Sequence, residues 1–168
     1  SANKKKSQKR TKGGSYINEE EKRIILEILD DLKSTGELKG LDIGIITGYS
    51  GQKELLRKSI KATGLDKIAS KIDINTLDAF QGRENDIIIY STVRTRDSIG
   101  FQKEKERVNV AFSRAKKLLI VCGDKNFFYN FDDQDNKFVE IIDYISEEEE
   151  CEIIQCDGGK LFERESNS

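Results

Sequence analysis

Apolar residues recur at helical spacing in four segments of the chain. The first segment, residues 18–32, places its isoleucines and leucines on one face of a predicted helix. Asn18 can cap this helix, and Glu21, one turn later, completes a capping-box pattern. The remaining patterns predict helices that begin at a capping Ser50, that span 107–115 and that span 138–145.

Short apolar runs between these helices predict the strands of a sheet. The predicted strands are 41–47, 71–75, 86–93, 118–122 and an edge strand at 152–156. Continuous runs of Ile, Leu and Val are typical of strands buried on both faces, and the alternation with helices predicts a mainly parallel sheet. Ligands of such sheets bind at the carboxyl ends of the strands, which directs attention to 47–52, 75–84 and 93–96.

The composition excludes several kinds of protein. The 168 residues fit one domain, and no apolar run approaches the roughly 18 residues that a membrane span needs. We therefore expect a cytoplasmic protein without a membrane partner. The chain has no histidine, which excludes a histidine general base and histidine metal ligands. Its three cysteines form no CxxC pair, so neither a zinc site nor a disulfide framework is predicted.

Charge is distributed unevenly along the chain. The formal net charge is -2, so a strong whole-protein field for nucleic acid is missing. Residues 1–14 contain no acid and carry Lys4, Lys5, Lys6, Lys9, Arg10 and Lys12. This start is predicted to be a basic flexible tail or linker, and the alternative is a phosphate-contacting arm. The predicted domain spans 15–156, and 157–168 form a second tail.

The polar loop 76–84 is the first segment that could carry chemistry. Gly82 permits a backbone turn that a side chain would block, and Gln81, Arg83 and Glu84 offer donors and acceptors beside it. Taken alone, a strand connection with surface charges also explains this loop.

A second candidate is Arg114, which lies off the buried stripe of 108–117 near a predicted helix end. Its planar guanidinium can match phosphate oxygens and neutralise charge on a transferred phosphoryl group. A surface arginine that favours the helix dipole is the alternative. The third candidate is 47–52, where small residues and Tyr49 would let a ligand approach and stack, although a strand-to-helix turn also explains them.

Together and in this order, these segments resemble the second RecA-like domain of superfamily-one helicases, most closely the Upf-like branch. The segments IGIITGY (43–49), DAFQGRE (78–84) and RVNVAFSRAK (107–116) resemble motifs IV, V and VI. Two departures are Gly48, where the family usually has proline, and KER at 105–107 in place of a Pro-Arg-Arg type of sequence. The resemblance implies an α/β fold, namely a three-layer RecA-like (P-loop-NTPase-like), mainly parallel sheet with helices on both faces.

The resemblance also implies roles for individual residues around ATP. Arg114 would be the arginine finger that reaches across an interdomain cleft to the γ-phosphate. Gly82 and Glu84 would line the nucleotide, with Glu84 near the ribose or the metal. Gln81 and Arg94 would support that site and couple it to the nucleic-acid groove.

A second set of residues would touch the nucleic-acid backbone. By resemblance, this set is Thr47, Gly48, Tyr49 and Thr76. Asn109 and Ser113 would position motif VI. The implied partner is single-stranded nucleic acid, with DNA favoured slightly over RNA.

The implied protein is an ATP-dependent helicase that uses ATP and Mg²⁺. The chain contains no GxxxxGK[ST] sequence, so both cofactors would be bound mainly by an N-terminal RecA-like domain of the same polypeptide. The chain alone is therefore expected to be inactive. One alternative is a non-catalytic nucleic-acid-binding or protein-interaction module on the same fold. Another is a response-regulator type of domain, which would need acids where Thr47 and Gly48 stand.

Overall fold

The computed structural model describes residues 8–36, 38–69, 71–80, 82–100, 105–131, 136–154 and 156. The strands are β1 (Gln8–Arg10), β2 (Tyr16–Asn18), β3 (Asp42–Thr47), β4 (Lys71–Thr76), β5 (Asn85–Ser91) and β6 (Ala115–Cys122). The helices are α1 (Glu19–Thr35), α2 (Ser50–Ala62), α3 (Lys105–Phe112), α4 (Lys125–Asn130) and α5 (Lys137–Glu147), with a short 3-10 helix at Leu65–Lys67.

Strands β3 to β6 form a four-stranded sheet in the order β4-β3-β5-β6, and every neighbouring pair is parallel. Thr47 lies opposite both Thr76 and Ser91, and Ser91 lies opposite Cys122. All four strands therefore end level at one edge of the sheet, which we call the carboxyl edge. The strands begin at the opposite edge, which we call the amino edge.

Helices cover both faces of this sheet. On one face, α1 and α2 pack through Ile25 and Leu56, which are fully buried. On the other face, α3, α4 and α5 pack through Val108, Phe128 and Phe138. Each such side chain stabilises the fold by about 1.5–3 kcal/mol when fully buried. The predicted three-layer, RecA-like α/β arrangement is thereby confirmed.

Residues 77–84 connect β4 to β5, and their described part contains no helix. The N–H of Leu77 donates to the carbonyl oxygen of Thr47 at 2.8 Å, so the loop starts at the carboxyl edge. Phe80 is then buried on the sheet over Gly44. A Cβ at Gly44 would lie 2.6 Å from the Phe80 ring, so only glycine lets the loop pass this closely. The loop ends at the amino edge, where β5 begins.

Part of the predicted N-terminal tail is ordered as a hairpin. Residues Gln8–Arg10 pair antiparallel with Tyr16–Asn18. Gln8 is buried, and its Oε1 accepts a hydrogen bond from the N–H of Thr95 at 3.1 Å. Residues 8–10 of the predicted tail are therefore in a strand, which the sequence did not indicate because three residues are too few to show a hydrophobic period.

Three other features differ from the sequence predictions. The N-cap of α2 is Tyr49 rather than Ser50, and no side chain caps this helix. Helix α4 has six residues, too few for its periodicity to be recognised, and was not predicted. Residues 152–154 of the predicted edge strand are not in a strand, and Ile153 and Ile154 are exposed. None of the helices in the described part of the chain is long and apolar enough to cross a membrane.

Candidate functional site

The predicted site residues divide between the two edges of the sheet. Gly82, Glu84 and Arg114 lie at the amino edge, just before β5 and β6 begin. Arg94 lies at the carboxyl edge, as do the predicted nucleic-acid residues Thr47, Gly48, Tyr49 and Thr76. Gln81 lies outside the described residues. Gly82 and Glu84 thus lie at the edge opposite to the one that the strand ends indicated, because their loop has already crossed the sheet.

At the amino edge, pairing between β5 and β6 brings the predicted nucleotide segments together. Asn85 lies opposite Ala115, and its N–H donates to the carbonyl oxygen of Arg114 at 3.1 Å. Glu84 directly precedes Asn85 and is exposed. Gly82 has a φ of 79°, a left-handed conformation that favours glycine, and it is exposed as well. A ligand can therefore approach this turn from solvent beside Arg114.

Arg114 joins the end of α3 to the start of β6. Its N–H donates to the carbonyl oxygen of Ala111 at 3.2 Å, and that of Ser113 donates to the carbonyl oxygen of Asn109 at 3.0 Å. The Arg114 side chain is half-buried, and its Nε has no hydrogen-bond partner among the described residues. Because buried donors are rarely left unpaired in native structures, this guanidinium has the donors that an oxyanion would need.

Two exposed ion pairs also connect the 77–84 loop to neighbouring elements. Arg83 pairs with Asp73 of β4, and Arg107 of α3 donates to Asp78 at 2.5 Å. Exposed pairs of this kind contribute about 0–1 kcal/mol each. The position of the loop therefore depends more on the buried Phe80 than on these charges.

At the carboxyl edge, the predicted nucleic-acid residues differ in exposure. Thr47 is fully buried, and its Oγ1 accepts a hydrogen bond from the N–H of Tyr49 at 3.4 Å. Tyr49 is 4% exposed, and burial raises the pKa of its hydroxyl. Gly48 and Thr76 are half-buried. Thr47 and Tyr49 therefore shape this edge from inside, and the Tyr49 ring presents no open stacking surface.

The chain leaves β5 through a strained turn. Val93 is fully buried and has a φ of 67°, which is a genuine outlier for a β-branched residue. The N–H of Arg94 donates to the carbonyl oxygen of Thr92 at 2.7 Å across it, so the turn has the form of a γ-turn. Strain of this kind persists only where the surrounding contacts fix the backbone.

Glu21 of α1 supplies those contacts. Its carboxylate accepts hydrogen bonds from Ser91 Oγ at 2.5 Å and from the N–H of Val93 at 2.9 Å. Thr92 Oγ1 donates to it as well, at 3.1 Å. Glu21 is 4% exposed, and burial raises its pKa from 4.5 to about 7, although these hydrogen bonds act in the opposite direction.

The predicted capping box of α1 is only half correct. Asn18 Oδ1 accepts from the N–H groups of Glu20 and Glu21 at 3.1 and 3.0 Å, as expected for a cap. The N–H of Asn18, however, donates to Gln52 Oε1 at 2.8 Å instead of to the Glu21 carboxylate. Gln52 Nε2 also donates to Ser91 Oγ at 3.1 Å, so one buried network ties α1 and α2 to the end of β5.

The sequence did not indicate this network, because Glu21 fits a capping box and a buried acid equally well. The signal that could have revealed it is a glutamate on the same side of α1 as Ile25 and Leu29. Only the position of residues 91–93 in the fold decides between the two roles.

Arg94 lies at the opposite edge of the sheet from Arg114. It is 4% exposed, and its guanidinium carbon lies 4.2 Å from the centroid of the Tyr16 ring. Its Nη2 donates to the carbonyl oxygen of Arg96 at 3.1 Å. Within the described part of the chain, the contacts of Arg94 therefore lie at the carboxyl edge and not at the amino edge beside Arg114.

In the described part of the chain, no group of three or more acidic or cysteine side chains could hold a metal ion. Cys122 is buried, which raises the pKa of its thiol.

The family model and the individual relatives that match this chain indicate the same family. The chain matches the AAA domain family over residues 1–126. A protein of Methanocaldococcus jannaschii that is named as an ATP-dependent helicase is 38% identical over 144 residues, which cover 84% of this chain and 20% of that protein. Helicase SEN1 of Saccharomyces cerevisiae is 41% identical over 116 residues, 65% of this chain and 5% of that protein. The DNA polymerase alpha-associated DNA helicase A of the same yeast is 38% identical over 117 residues, 66% of this chain and 16% of that protein.

The parallel three-layer sheet, with motif segments at both edges, is the arrangement of a RecA-like helicase domain. The chain belongs to the AAA domain family, within the Upf-like branch of the superfamily-one helicases. The chain spans 20% of the length of the Methanocaldococcus relative and a smaller share of the length of the two yeast proteins.

Proposed function

We propose that this chain is the C-terminal motor domain of an ATP-dependent helicase and that Arg114 is its arginine finger. The observation that carries the proposal is the half-buried Arg114 guanidinium, whose Nε lacks a partner among the described residues. Phosphate oxygens provide the planar, bidentate partner that such a fork prefers. Its place beside the exposed Glu84 and the Gly82 turn gives one edge both a cation and an open approach.

The donor set of the amino edge fits a nucleoside triphosphate. Arg114 would neutralise charge that develops on the transferred phosphoryl group, which is the usual task of an arginine finger. Glu84 would accept hydrogen bonds from the ribose or lie near the metal, and Gly82 would let the backbone approach the ligand. Gln81 would support this site. ATP and Mg²⁺ would be bound mainly by an N-terminal RecA-like domain of the same polypeptide.

The carboxyl edge would form part of the groove for single-stranded nucleic acid. Gly48 and Thr76 are the predicted residues that reach the surface there, whereas Thr47 and Tyr49 hold the edge in shape. Arg94, stacked on Tyr16, would support the same groove and couple it to the nucleotide site. The grip would come from phosphate contacts without reading of the bases, with DNA favoured slightly over RNA.

The test uses a polypeptide that joins this chain to its phosphate-loop domain. Arg114→Ala should lower kcat for nucleic-acid-stimulated ATP hydrolysis by roughly 10³ or more, while nucleotide affinity falls far less. Arg57→Ala is the matched control, because Arg57 is an exposed arginine of α2 that pairs with Glu54. If Arg114→Ala hydrolyses ATP as fast as the control variant, Arg114 is not the arginine finger.

The chain by itself should have negligible ATPase activity. Arg114-dependent hydrolysis by the isolated chain would contradict the proposed division between two domains. If the two-domain protein binds nucleic acid but never hydrolyses ATP, a non-catalytic binding module on the same fold becomes the better description.

A further inference from the structure

The β1–β2 hairpin carries positive charge that no acid offsets. Lys9, Arg10 and Lys12 are all exposed, and residues 8–18 contain no acid. None of the three has an ion-pair partner among the described residues. In the first turns of the neighbouring α1, by contrast, Lys22 pairs with Glu19 and Arg23 pairs with Glu20. The hairpin is thus a local cationic surface on a chain whose formal net charge is -2.

Contacts at several points fix this hairpin to the carboxyl edge. Ser15 Oγ accepts a hydrogen bond from the N–H of Gly51, in the first turn of α2, at 3.0 Å. In β1, Gln8 Oε1 accepts a hydrogen bond from the N–H of Thr95 at 3.1 Å. The Tyr16 ring packs edge-on against Tyr49 at 5.6 Å between centroids. The basic residues are therefore held beside the edge predicted to touch nucleic acid.

Tyr16 links the hairpin charge to the charge at the end of β5. The Arg94 guanidinium carbon lies 4.2 Å from the ring centroid, and that of Arg10 lies 5.9 Å from it. Both guanidiniums can be attracted to the ring quadrupole, which offsets part of their mutual repulsion. Arg94 is buried and Arg10 is exposed, so the stack carries positive charge from the inside of this edge to its surface.

The predicted nucleic-acid residues themselves supply no charge. Thr47, Gly48, Tyr49 and Thr76 are all neutral, and two of them are buried. Single-strand binding without sequence preference depends on lysine and arginine contacts to phosphates. A groove at this edge therefore needs cations from a neighbouring element.

We propose that the β1–β2 hairpin is a phosphate-binding arm of the carboxyl edge and that Lys9, Arg10 and Lys12 hold the backbone of a nucleic-acid single strand. The inference deepens the proposed function, on which it rests. Of the two interpretations of the basic start of the chain, it takes up the phosphate-contacting arm for residues 8–14. Because only phosphates are contacted, the arm should act equally on DNA and RNA strands.

The test compares two variants of this chain that lose the same charge. The hairpin variant, Lys9→Gln/Arg10→Gln/Lys12→Gln, neutralises the three basic residues of the arm. The control variant, Lys33→Gln/Lys39→Gln/Lys67→Gln, neutralises three exposed lysines near the amino edge. Oligothymidylate and oligouridylate are titrated in a series of salt concentrations. Loss of three phosphate contacts should lower the slope of log K against log salt by about 2, and affinity at 0.1 M salt by roughly 100-fold.

The arm is supported if the hairpin variant alone loses affinity and salt dependence on both oligonucleotides. Equal losses in both variants, or none in the hairpin variant, would overturn it, as would failure of the unaltered chain to bind either probe. These outcomes leave the Arg114 experiment to decide the proposed function separately. Lys9→Gln/Lys12→Gln keeps the Arg10–Tyr16 contact and should lower the slope by about 1.4, which guards against misfolding of the triple variant.

Discussion

Raising the pH through the neutral range should destabilise this domain, because Glu21 is an acid buried beneath the turn at 91–94. Its folded-state pKa of about 7 lies above the ordinary 4.5, so the folded chain holds a proton that the unfolded chain has already released. The stabilisation that the protonated Glu21 provides is fully present below pH 4.5 and decreases as the pH rises towards about 7. Above that pH it is lost, and the free energy of unfolding no longer changes through this group. The negative charge of Asp124 raises the pKa of Glu21 further.

The magnitude follows from the size of this pKa shift. Each pH unit between the two pKa values costs about 1.4 kcal/mol, so the whole window from 4.5 to about 7 corresponds to roughly 3 kcal/mol. That is a large share of the 5–15 kcal/mol typical of a domain. The chain has no histidine, the residue that normally titrates in this range. The pKa of Asp86 is lowered chiefly by a hydrogen bond from the Asp42 N–H, so this residue changes the stability only at more acidic pH.

The assay is urea unfolding followed by circular dichroism at a series of pH values. Glu21→Gln imitates the protonated carboxyl group. Because its amide cannot ionise, this variant should not show the decrease in the free energy of unfolding as the pH rises. Glu54→Gln, which changes an exposed carboxylate of α2, should keep the decline intact. A wild-type stability that is flat or rising across the window, or a decline that survives in Glu21→Gln, would refute the reasoning.

Two further predictions concern the packing that positions the edges. Gly44→Ala should cost about 1–3 kcal/mol, because the new methyl group would lie 2.6 Å from Phe80 and 2.8 Å from Ile88. Gly13→Ala, whose Cβ meets nothing closer than 4.0 Å, is the control in the same urea titration, and equal midpoints for the two variants would contradict the crowding argument. Asn18→Ala should cost about 1–2 kcal/mol through loss of the cap, and Asn18→Ser should recover part of it. If Asn18→Ser is no more stable than Asn18→Ala, the cap is not the main role of this side chain.

Long elements with a clear period were predictable from sequence, whereas the connections between them were not. The apolar stripe of 18–32 predicts α1, because a helix of seventeen residues gives several turns over which the pattern can repeat. Strand β1 has three residues and α4 has six, so neither offers enough positions for a period to emerge. The 77–84 loop raises a different difficulty: a segment that follows one strand also precedes the next. Only the parallel order β4-β3-β5 shows that its second half belongs to the amino edge.

Strand β5 connects the two candidate sites directly. Asn85, at its start, donates to the Arg114 carbonyl oxygen, and Ser91, at its end, donates to Glu21. Seven residues at about 3.3 Å each separate the sites by roughly 20 Å. The strand is hydrogen-bonded on both sides, to β3 and to β6, so it cannot slide without breaking both ladders or reversing its faces. If Arg114 binds the nucleotide as proposed, a movement there should reach the carboxyl edge as a rotation of the whole sheet, because the Glu21 network holds the far end of β5 in place.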